Sequence, residues 1–270
     1  MILLNNLSRL SRTLLPLVCV LIVFIGGCDS LNPSTDGEEV EVGIYNGNGS
    51  WDVSVKALTL AVTEAGFEVQ LFNENDVFEN DIKRFRMIIF PGGNPQDYSS
   101  ALSSIGIKRV QNYINFGGNF FGVGGGAAIA DIDSGLFGGI GIFDGDAVWP
   151  INQIAQYPES VLTEIVKSND DHPISRGMAE KFTTLYRWGP YFIPYQPDNM
   201  RVIFDYVLIE SPAMVSFTFG MGRVVLAGFQ PEIEENDDRD GSDFADDLYD
   251  PESEWEMIEK SIEFCLGELF

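Results

Sequence analysis

The sequence is poor in the side chains that carry out most nucleophilic and metal chemistry. Its 270 residues include one histidine, His172, and three cysteines. A lone histidine without spare cysteines cannot build a zinc site, so we exclude a His/Cys metal centre. His172 precedes a proline in the stretch "DHPISRG". This context is typical of a structural loop residue, and a catalytic role for His172 is the weaker alternative.

Basic residues are also scarce. There are 16 lysines and arginines against 41 aspartates and glutamates, which gives a formal net charge of −25 at pH 7. Such an acidic surface repels nucleic acid and anionic lipid headgroups, so nucleic acid is excluded as a partner. Hydrophobic residues make up 45% of the chain and aromatic residues 12%. This composition supports a substantial core and argues against global disorder.

No apolar run reaches the roughly 20 residues that a membrane-spanning helix needs. The run from Leu14 to Ile25 follows two arginines and precedes small residues, which is the pattern of a secretory signal. The stretch "IGGC", which ends at Cys28, resembles a bacterial lipobox. We therefore predict a signal peptide over residues 1–27 and a lipid on Cys28, which becomes the mature N-terminus. An uncleaved anchor, or a chance cysteine after a signal, is the alternative.

The predicted anchor also indicates a location and a domain organisation. It places the protein in the bacterial cell envelope, anchored in a membrane and facing the periplasm or the exterior. Cys19 leaves with the signal and Cys28 carries lipid, so Cys265 remains alone and no internal disulfide is expected. The polar, turn-rich residues 28–39 predict a flexible tether. Residues 40–270 contain no linker-like stretch and are expected to form a single domain.

Strand and helix patterns alternate from residue 40 onward. We predict strands in "VEVGIYN", "EVQLF", "RMIIFPGG" and "NFFGV", a helix between an N-cap at Ser50 and a stop at Gly66, and a second helix in "IKRVQNYINFGG". The second half is richer in strands, with a tight hairpin turn at Gly220, Met221 and Gly222 and a final helix capped by Asp250. The order predicts an α/β fold, a flavodoxin-like three-layer sandwich with a mostly parallel sheet and an antiparallel hairpin near the C-terminus.

A glycine-rich turn stands out in "NFFGVGGGAAIADID", residues 119–133. Sharp turns from a strand into a helix are where α/β proteins place phosphate loops and nucleophiles. Gly122, Gly124 and Ala127 also fit a dinucleotide-binding fingerprint. That fingerprint normally follows the first strand of its unit, and here it follows the fourth, so nucleotide binding is a minor alternative.

Four short stretches fall where predicted strands end: "YNGNGS", "FPGGNPQDY", "FGVGGGA" and "GFQPE". Together with "DHPISRG" and "WGPYF", they resemble the N-terminal domain of eukaryotic biotin-protein ligases, a branch of the class I glutamine amidotransferase-like superfamily. The resemblance covers roughly residues 40–235. Ligands of doubly wound sheets bind at the carboxyl ends of strands, so these loops are expected to line one pocket.

The resemblance implies a catalytic triad that this sequence has lost. Active members carry a Gly-x-Cys-x-Gly elbow with a nucleophilic cysteine, and a His-Pro-Glu stretch that supplies the base and a carboxylate. Here Gly124 replaces the cysteine and Gln230 replaces the histidine, while Glu232 remains. We therefore expect a degenerate triad and no catalytic residues. Glu232 is expected to stay ionised and to bond backbone amides of the elbow.

An elbow without a side chain predicts a concave pocket lined by backbone amides, which suits a small anion or a carboxylate. The residues expected to line it are Asn46, Gly47, Gly92, Gly93, Gly124 and Gly125. Ser50 and Ser134 have no visible base nearby, so a helix-capping role is favoured over a nucleophilic one.

The acidic stretch near the C-terminus overlaps a calcium-loop pattern. Asp238, Asp240 and Asp247 have suitable spacing, but an aspartate stands where a bidentate glutamate is usual, and no helix pattern precedes the loop. A solvated acidic loop is therefore favoured. We expect no cofactor, with calcium at these three aspartates as the weaker alternative.

The favoured function is a lipid-anchored, catalytically inactive amidotransferase-like domain that binds a small anionic ligand or an envelope protein. One alternative is a hydrolase with a non-cysteine mechanism that uses Glu232 or His172. A second alternative is a calcium-stabilised structural lipoprotein that uses the acidic loop.

Overall fold

The computed structural model describes residues 40–132, 138–168, 171–235 and 238–269, and these residues belong to one compact unit. No helix within these ranges is long and apolar enough to cross a membrane. The predicted signal peptide, Cys28 and the tether lie outside the described residues.

The elements of the described residues alternate in the first half and are mainly strands in the second. The strands are β1 (Val40–Tyr45), β2 (Val69–Phe72), β3 (Phe85–Phe90), β4 (Asn119–Val123), β5 (Gly145–Val148), β6 (Val161–Lys167), β7 (Lys181–Tyr186), β8 (Tyr191–Pro194), β9 (Arg201–Tyr206), β10 (Ser211–Phe219) and β11 (Gly222–Ala227). The helices are α1 (Asp52–Glu64), α2 (Glu74–Glu79), α3 (Pro95–Asn115), α4 (Gly125–Ala128) and α5 (Trp255–Leu266). Single 3-10 turns occupy Asp81–Arg84, Pro197–Asn199 and Asp238–Asp240.

Nine strands of the described part of the chain form one sheet, in the order β2-β1-β3-β4-β11-β10-β9-β6-β7. The strands from β2 to β11 in this order run parallel, and β10, β9, β6 and β7 continue the sheet antiparallel. The sheet confirms the predicted α/β class, and the predicted hairpin turn joins β10 and β11 at Gly220 and Met221, while Gly222 already pairs with Phe219 as the first residue of β11. The antiparallel part is larger than one hairpin, because β9, β6 and β7 extend it. β5 and β8 pair in a separate two-stranded sheet.

Helices cover both faces of the sheet, which gives the predicted three layers. On one face, apolar side chains of α1 and α5 pack on the strands, among them Val55, Leu58, Ile258 and Ile262. On the other face α3 does the same, through Leu102, Val110 and Ile114. Both sets of side chains are buried. Because helices cover both faces of the sheet, the parallel strands need apolar side chains on both faces, which explains their almost entirely hydrophobic sequences.

Two predicted helix starts are wrong. α1 begins at Asp52, and the Ser50 hydroxyl donates to the Gly47 carbonyl at 2.7 Å instead of capping the helix. α5 begins at Trp255, while the Asp250 carboxylate accepts a hydrogen bond within a local turn upstream. In both cases a short polar side chain bonds to its own loop, which competes with capping.

The fold brings the four predicted loops to one edge of the sheet. β1, β3, β4 and β11 are adjacent and parallel, so their carboxyl ends lie side by side. Residues 46–50, 91–94, 124–127 and 228–232 follow these strands. This carboxyl edge is where doubly wound folds bind ligands.

Candidate functional site

Gly124 forms the sharp turn between β4 and α4. Its φ is +51° and its ψ is −115°, a conformation that residues with side chains rarely adopt. Its N–H donates to the Ala227 carbonyl at the end of β11, at 2.8 Å. Gly124 and all residues of α4 are buried. The turn has the geometry of a nucleophile elbow with no side chain at its centre.

Gln230 fills the space next to this elbow. A Cβ built on Gly124 would overlap the Gln230 Nε2 and lie 3.6 Å from the Gly92 Cα. Gln230 is 1% exposed. Its Oε1 accepts the Arg187 N–H at 2.7 Å, and its Nε2 donates to the Arg187 carbonyl at 3.0 Å. The structure thus brings the two replaced triad positions together, but the amide at position 230 is neutral and already bonded to the backbone.

Two backbone N–H groups near the elbow have no acceptor among the described residues. A Cβ on Gly125 would overlap the Gly93 carbonyl, so the loops after β3 and β4 are in close contact. Within the described ranges, neither the Gly93 N–H nor the Gly125 N–H forms a hydrogen bond. The Gly92 N–H, by contrast, donates to the Ser54 Oγ at 2.8 Å. Unpaired N–H groups in such a turn favour a carboxylate or another small anion.

Glu232, the third triad position, is fully buried. Its Oε1 accepts from the Ser54 hydroxyl, and its Oε2 has no hydrogen-bond partner among the described residues. Burial raises the pKa of Glu232 to about 8, so the carboxyl is mostly protonated at neutral pH. This high pKa corrects the expectation that Glu232 stays ionised. The expectation that Glu232 bonds backbone amides of the elbow is also corrected, because the Ser54 hydroxyl of α1 lies between the carboxyl and the Gly92 N–H.

A cleft of about 330 Å³ opens beside the elbow. Its walls come from the loops after β1 and β3 and from the segment between β7 and β8. The lining residues are Asn48, Gly49, Ser50, Trp51, Gly93, Asn94, Asp97, Arg187, Trp188 and Gln230. Of the predicted pocket residues only Gly93 lines this cleft, while Gly92, Gly124 and Gly125 are buried.

The structure corrects the placement of Asn46 and Gly47. Asn46 is exposed and lines a different depression, and its N–H donates to the Phe72 carbonyl at the end of β2, at 2.7 Å. Gly47 lies against the Glu74 carboxylate of α2. The chain after β1 therefore first bends towards β2 and α2, and it reaches the cleft only at Asn48.

Arg187 is the side chain of the cleft that sequence reasoning missed. Its guanidinium lies over the rings of Trp51, Trp188 and Phe244, with 4.8, 4.4 and 5.2 Å from its central carbon to the ring centroids. It also donates to the Ser160 Oγ at 2.7 Å. Burial lowers the pKa of Arg187, yet an arginine keeps its charge in proteins. The neighbouring "WGPYF" motif is the sequence signal nearest to it.

The other candidate catalytic side chains lie away from the cleft. His172 is buried, its Nδ1 accepts the Ile174 N–H at 3.1 Å, and its Nε2 therefore donates to the Ser216 Oγ at 2.8 Å. None of these residues lines the cleft, and the bonds are those of a structural histidine. Ser134 lies outside the described residues.

The acidic loop places its three predicted ligands differently from one another. Asp240 is buried and accepts the N–H groups of Glu234 at 3.3 Å and Ser242 at 2.8 Å, whereas Asp238 and Asp247 are exposed. In the described part of the chain, no group of three or more His, Cys, Asp or Glu side chains could hold a metal ion. Asp240 thus closes a turn of its own loop.

Other carboxyls after β11 are buried deeply. Glu235 and Glu254 are 2% and 1% exposed, and their carboxyl oxygens have no hydrogen-bond partner among the residues that the structure describes. Burial, followed by repulsion from neighbouring carboxyls, raises the pKa of Glu235 to about 8 and that of Glu254 to about 10. Both are therefore predominantly protonated at neutral pH.

Comparison with known proteins agrees with the sequence resemblance. Residues 40–132 match the family described as biotin-protein ligase, N terminal. A ThuA-like protein from Bacteroides uniformis aligns with a TM-score of 0.54 and 12% identity, over 84% of this chain and 91% of its own. A cytoplasmic protein from Salmonella typhimurium aligns with a TM-score of 0.51 and 9% identity, over 84% of this chain and 99% of its own. At such identities the likeness is one of fold. No curated protein matches the sequence.

Proposed function

Residues 40–132 match the biotin-protein ligase N-terminal family, and from this premise we propose that the protein is a non-catalytic binding domain of the bacterial cell envelope, held at a membrane by a lipid on Cys28. Its ligand is a small anion, such as a carboxylate, which binds in the cleft beside Gly124. The hydrogen-bonded Gln230 is the observation that carries the proposal. It takes the place of the missing base, and its amide occupies the space that a nucleophile would need.

The composition of the cleft supports an anionic ligand. The Arg187 guanidinium lines it and is held by aromatic rings, so it is already oriented before a ligand arrives. The Gly93 N–H adds a donor without an acceptor of its own among the described residues. Asp97 is the one carboxylate among the lining residues. A carboxylate ligand can accept two parallel bonds from an arginine and a third from a backbone amide.

The hydrolase alternative has less support. A general base must come within hydrogen-bond reach of its substrate. Glu232 is buried, mostly protonated and bonded to Ser54, and His172 is buried and bonded to Ser216. Neither lines the cleft.

Glutamine hydrolysis tests the proposed loss of catalysis. We expect no ammonia release from glutamine by the wild-type protein, by Gly124→Cys or by Gln230→His, because each single variant still lacks one half of the Cys-His pair. Release of ammonia by the wild-type protein would refute the proposal.

Ligand binding is tested by thermal shift and calorimetry with a panel of small carboxylates and inorganic phosphate. A true ligand stabilises the domain by about 2.7 kcal/mol at a hundredfold excess over its Kd. We expect Arg187→Gln to lose this shift. Arg176→Gln is the matched control, because Arg176 is exposed and pairs with Asp171 at 3.4 Å, outside the cleft. Equal thermal shifts in Arg187→Gln and Arg176→Gln would show that Arg187 is not part of the ligand site.

The lipid anchor is tested by mass spectrometry of the mature N-terminus. We expect an acylated Cys28 as the first residue, and an unprocessed, unacylated precursor from Cys28→Ala. Mature protein that begins elsewhere and carries no lipid would contradict the anchor. Two or more acyl chains are needed for stable attachment, so full acylation also predicts firm membrane fractionation.

A further inference from the structure

A second cleft lies at the opposite edge of the sheet, where β3 and β4 begin. Its volume is about 730 Å³. The lining residues are Asn80, Lys83, Phe85, Arg86, Arg109, Asn112, Tyr113, Phe116, Gly117, Gly118 and Asn119. Three of them are cations and none is a carboxylate. The chain as a whole has 41 acidic and 16 basic residues, so the local charge balance is the reverse of the overall one.

The three cations keep donor capacity for a ligand. Lys83 is exposed and forms no ion pair within the described ranges. Arg109 donates one guanidinium N–H to the Val77 carbonyl at 3.1 Å. Arg86 pairs with the carboxylates of Glu41 and Glu268 at 3.7 and 3.9 Å and donates to the Leu266 carbonyl at 3.5 Å, so its charge is partly offset. Lys83 and the remaining N–H groups of Arg109 and Arg86 are therefore donors for a phosphate group in the cleft.

The end of α3 does not oppose an anion here. The C-terminus of a helix carries partial negative charge on its last carbonyls. The last four carbonyls of α3, from Asn112 to Asn115, all accept hydrogen bonds at 3.0–3.1 Å, the last one from the Met221 N–H. These bonds satisfy the carbonyls that would otherwise face the cleft.

An apolar rim and the start of the domain lie at the same edge. Phe116, which lines the cleft, is 72% exposed, and Met221, which bonds the end of α3, is 71% exposed. Val40, the first residue of β1, pairs with Phe85 of the cleft wall. Residues 29–39 separate Val40 from Cys28, and such a segment spans at most about 40 Å when fully extended.

We propose that Lys83, Arg86, Arg109, Phe116 and Met221, together called the basic edge, face the membrane and bind the phosphate of an anionic lipid headgroup. This inference rests on the proposed lipid on Cys28, because the tether then keeps the basic edge close to the bilayer at high effective concentration. Anionic headgroups attract the cations of the edge and repel the acidic surface elsewhere. The carboxyl edge of the sheet is opposite, so the cleft beside Gly124 opens towards the aqueous phase.

The orientation is measured on the full acylated chain in phosphatidylcholine vesicles with and without phosphatidylglycerol. A polarity-sensitive fluorophore on Met221→Cys reports the basic edge, since Cys265 is buried and Cys28 is acylated. A label on Tyr249→Cys is the control, because Tyr249 is 79% exposed in the segment after β11, beyond the carboxyl edge. We expect a blue shift and quenching by spin-labelled lipid at position 221 only, and only with phosphatidylglycerol.

A matched pair of charge variants tests the cleft itself. Lys83→Glu should lose most of the quenching at position 221. Lys108→Glu should keep it, because Lys108 is also an exposed lysine but does not line the cleft. Equal signals at positions 221 and 249, equal signals in the two lipid mixtures, or equal losses in the two lysine variants would overturn the inference.

Two further measurements separate the ways in which the inference can fail. If mass spectrometry finds no acyl group and the protein stays free of both vesicle types, the anchor proposal fails and the orientation fails with it. If the acylated protein shows no lipid-dependent signal, only the orientation fails. If inorganic phosphate alone stabilises the wild-type chain but not Lys83→Glu, while vesicles give no signal, the cleft holds a soluble phosphate compound and the membrane-facing role is refuted.

Discussion

Position 124 shows how much a single glycine determines at this site. Gly124→Ala introduces a Cβ that overlaps the Gln230 amide at a φ of +51°. We expect it to lower the free energy of unfolding by roughly 1–3 kcal/mol from backbone strain and by about 1–3 kcal/mol more from overpacking. Gly66→Ala is the matched control, because its φ is +91° but nothing lies within 4 Å of the added Cβ. Denaturant unfolding of both variants separates strain from overlap.

The comparison with Gly66 also has an outcome that contradicts the structure. If Gly124→Ala costs no more than Gly66→Ala, then Gln230 does not occupy the elbow. The proximity of positions 124 and 230 was predictable from the sequence, because both belong to motifs that resemble the family's catalytic triad. That the Gln230 side chain lies against the elbow was not predictable, because its hydrogen bonds come from the Arg187 backbone, which is 43 residues away in the sequence.

At the level of elements, apolar runs in the sequence predicted the strands of the large sheet well, whereas elements in polar segments were predicted poorly. β3 and β4 read directly as buried strands because their side chains are apolar on both faces. β5 and β8 were not predicted, because each has only four residues and their pairing joins distant parts of the chain. The first half of α3 was also missed, since its polar serines give no clear helical stripe. The carboxyl edge followed from strand order, whereas Ser54 and Arg187 reach the site from elements outside the motif.

The acidic segment after β11 makes a testable contribution to stability. The folded-state pKa values of Glu235 and Glu254 are raised to about 8 and about 10, above an ordinary value of 4.5. At pH values between the unfolded-state pKa and the folded-state pKa of each group, the folded state holds more protons than the unfolded state. The groups therefore stabilise the fold fully below pH 4.5, and stability falls as pH rises, by up to about 1.4 kcal/mol per pH unit for each retained proton.

Glu254→Gln tests this slope, because the amide keeps the shape of the side chain and removes its titration. Urea unfolding at pH 5 and at pH 8 should show little change in stability at the lower pH and a gain over the wild-type protein at the higher pH. Glu159→Gln, at an exposed position in the loop before β6, should leave the pH slope unchanged. A Glu254→Gln variant with the wild-type slope would show that Glu254 is not held protonated in the folded protein.

Over the whole molecule, charge is distributed unequally between the two edges of the sheet. The amino edge carries a cleft with three cations and no carboxylate, while the segment that follows the carboxyl edge is rich in aspartate and glutamate. Neither distribution can be read from the net charge alone. The unequal distribution of charge follows from the strand order. Parallel strands all begin at one edge of the sheet and end at the other, so the residues before the strands lie at the first edge and the residues after them at the second.

The net charge of −25 predicts how the fold responds to salt. Self-repulsion at this charge destabilises the compact state, and 1 M salt shortens the screening length to about 3 Å. We therefore expect sodium chloride to raise the Tm of the full chain. Calcium and magnesium chloride at equal ionic strength should raise it equally, because Asp240 already bonds its own loop and Asp238 and Asp247 point outward as exposed residues. A rise specific to millimolar calcium and absent in Asp240→Asn would instead establish the calcium site that the spacing of these aspartates suggests.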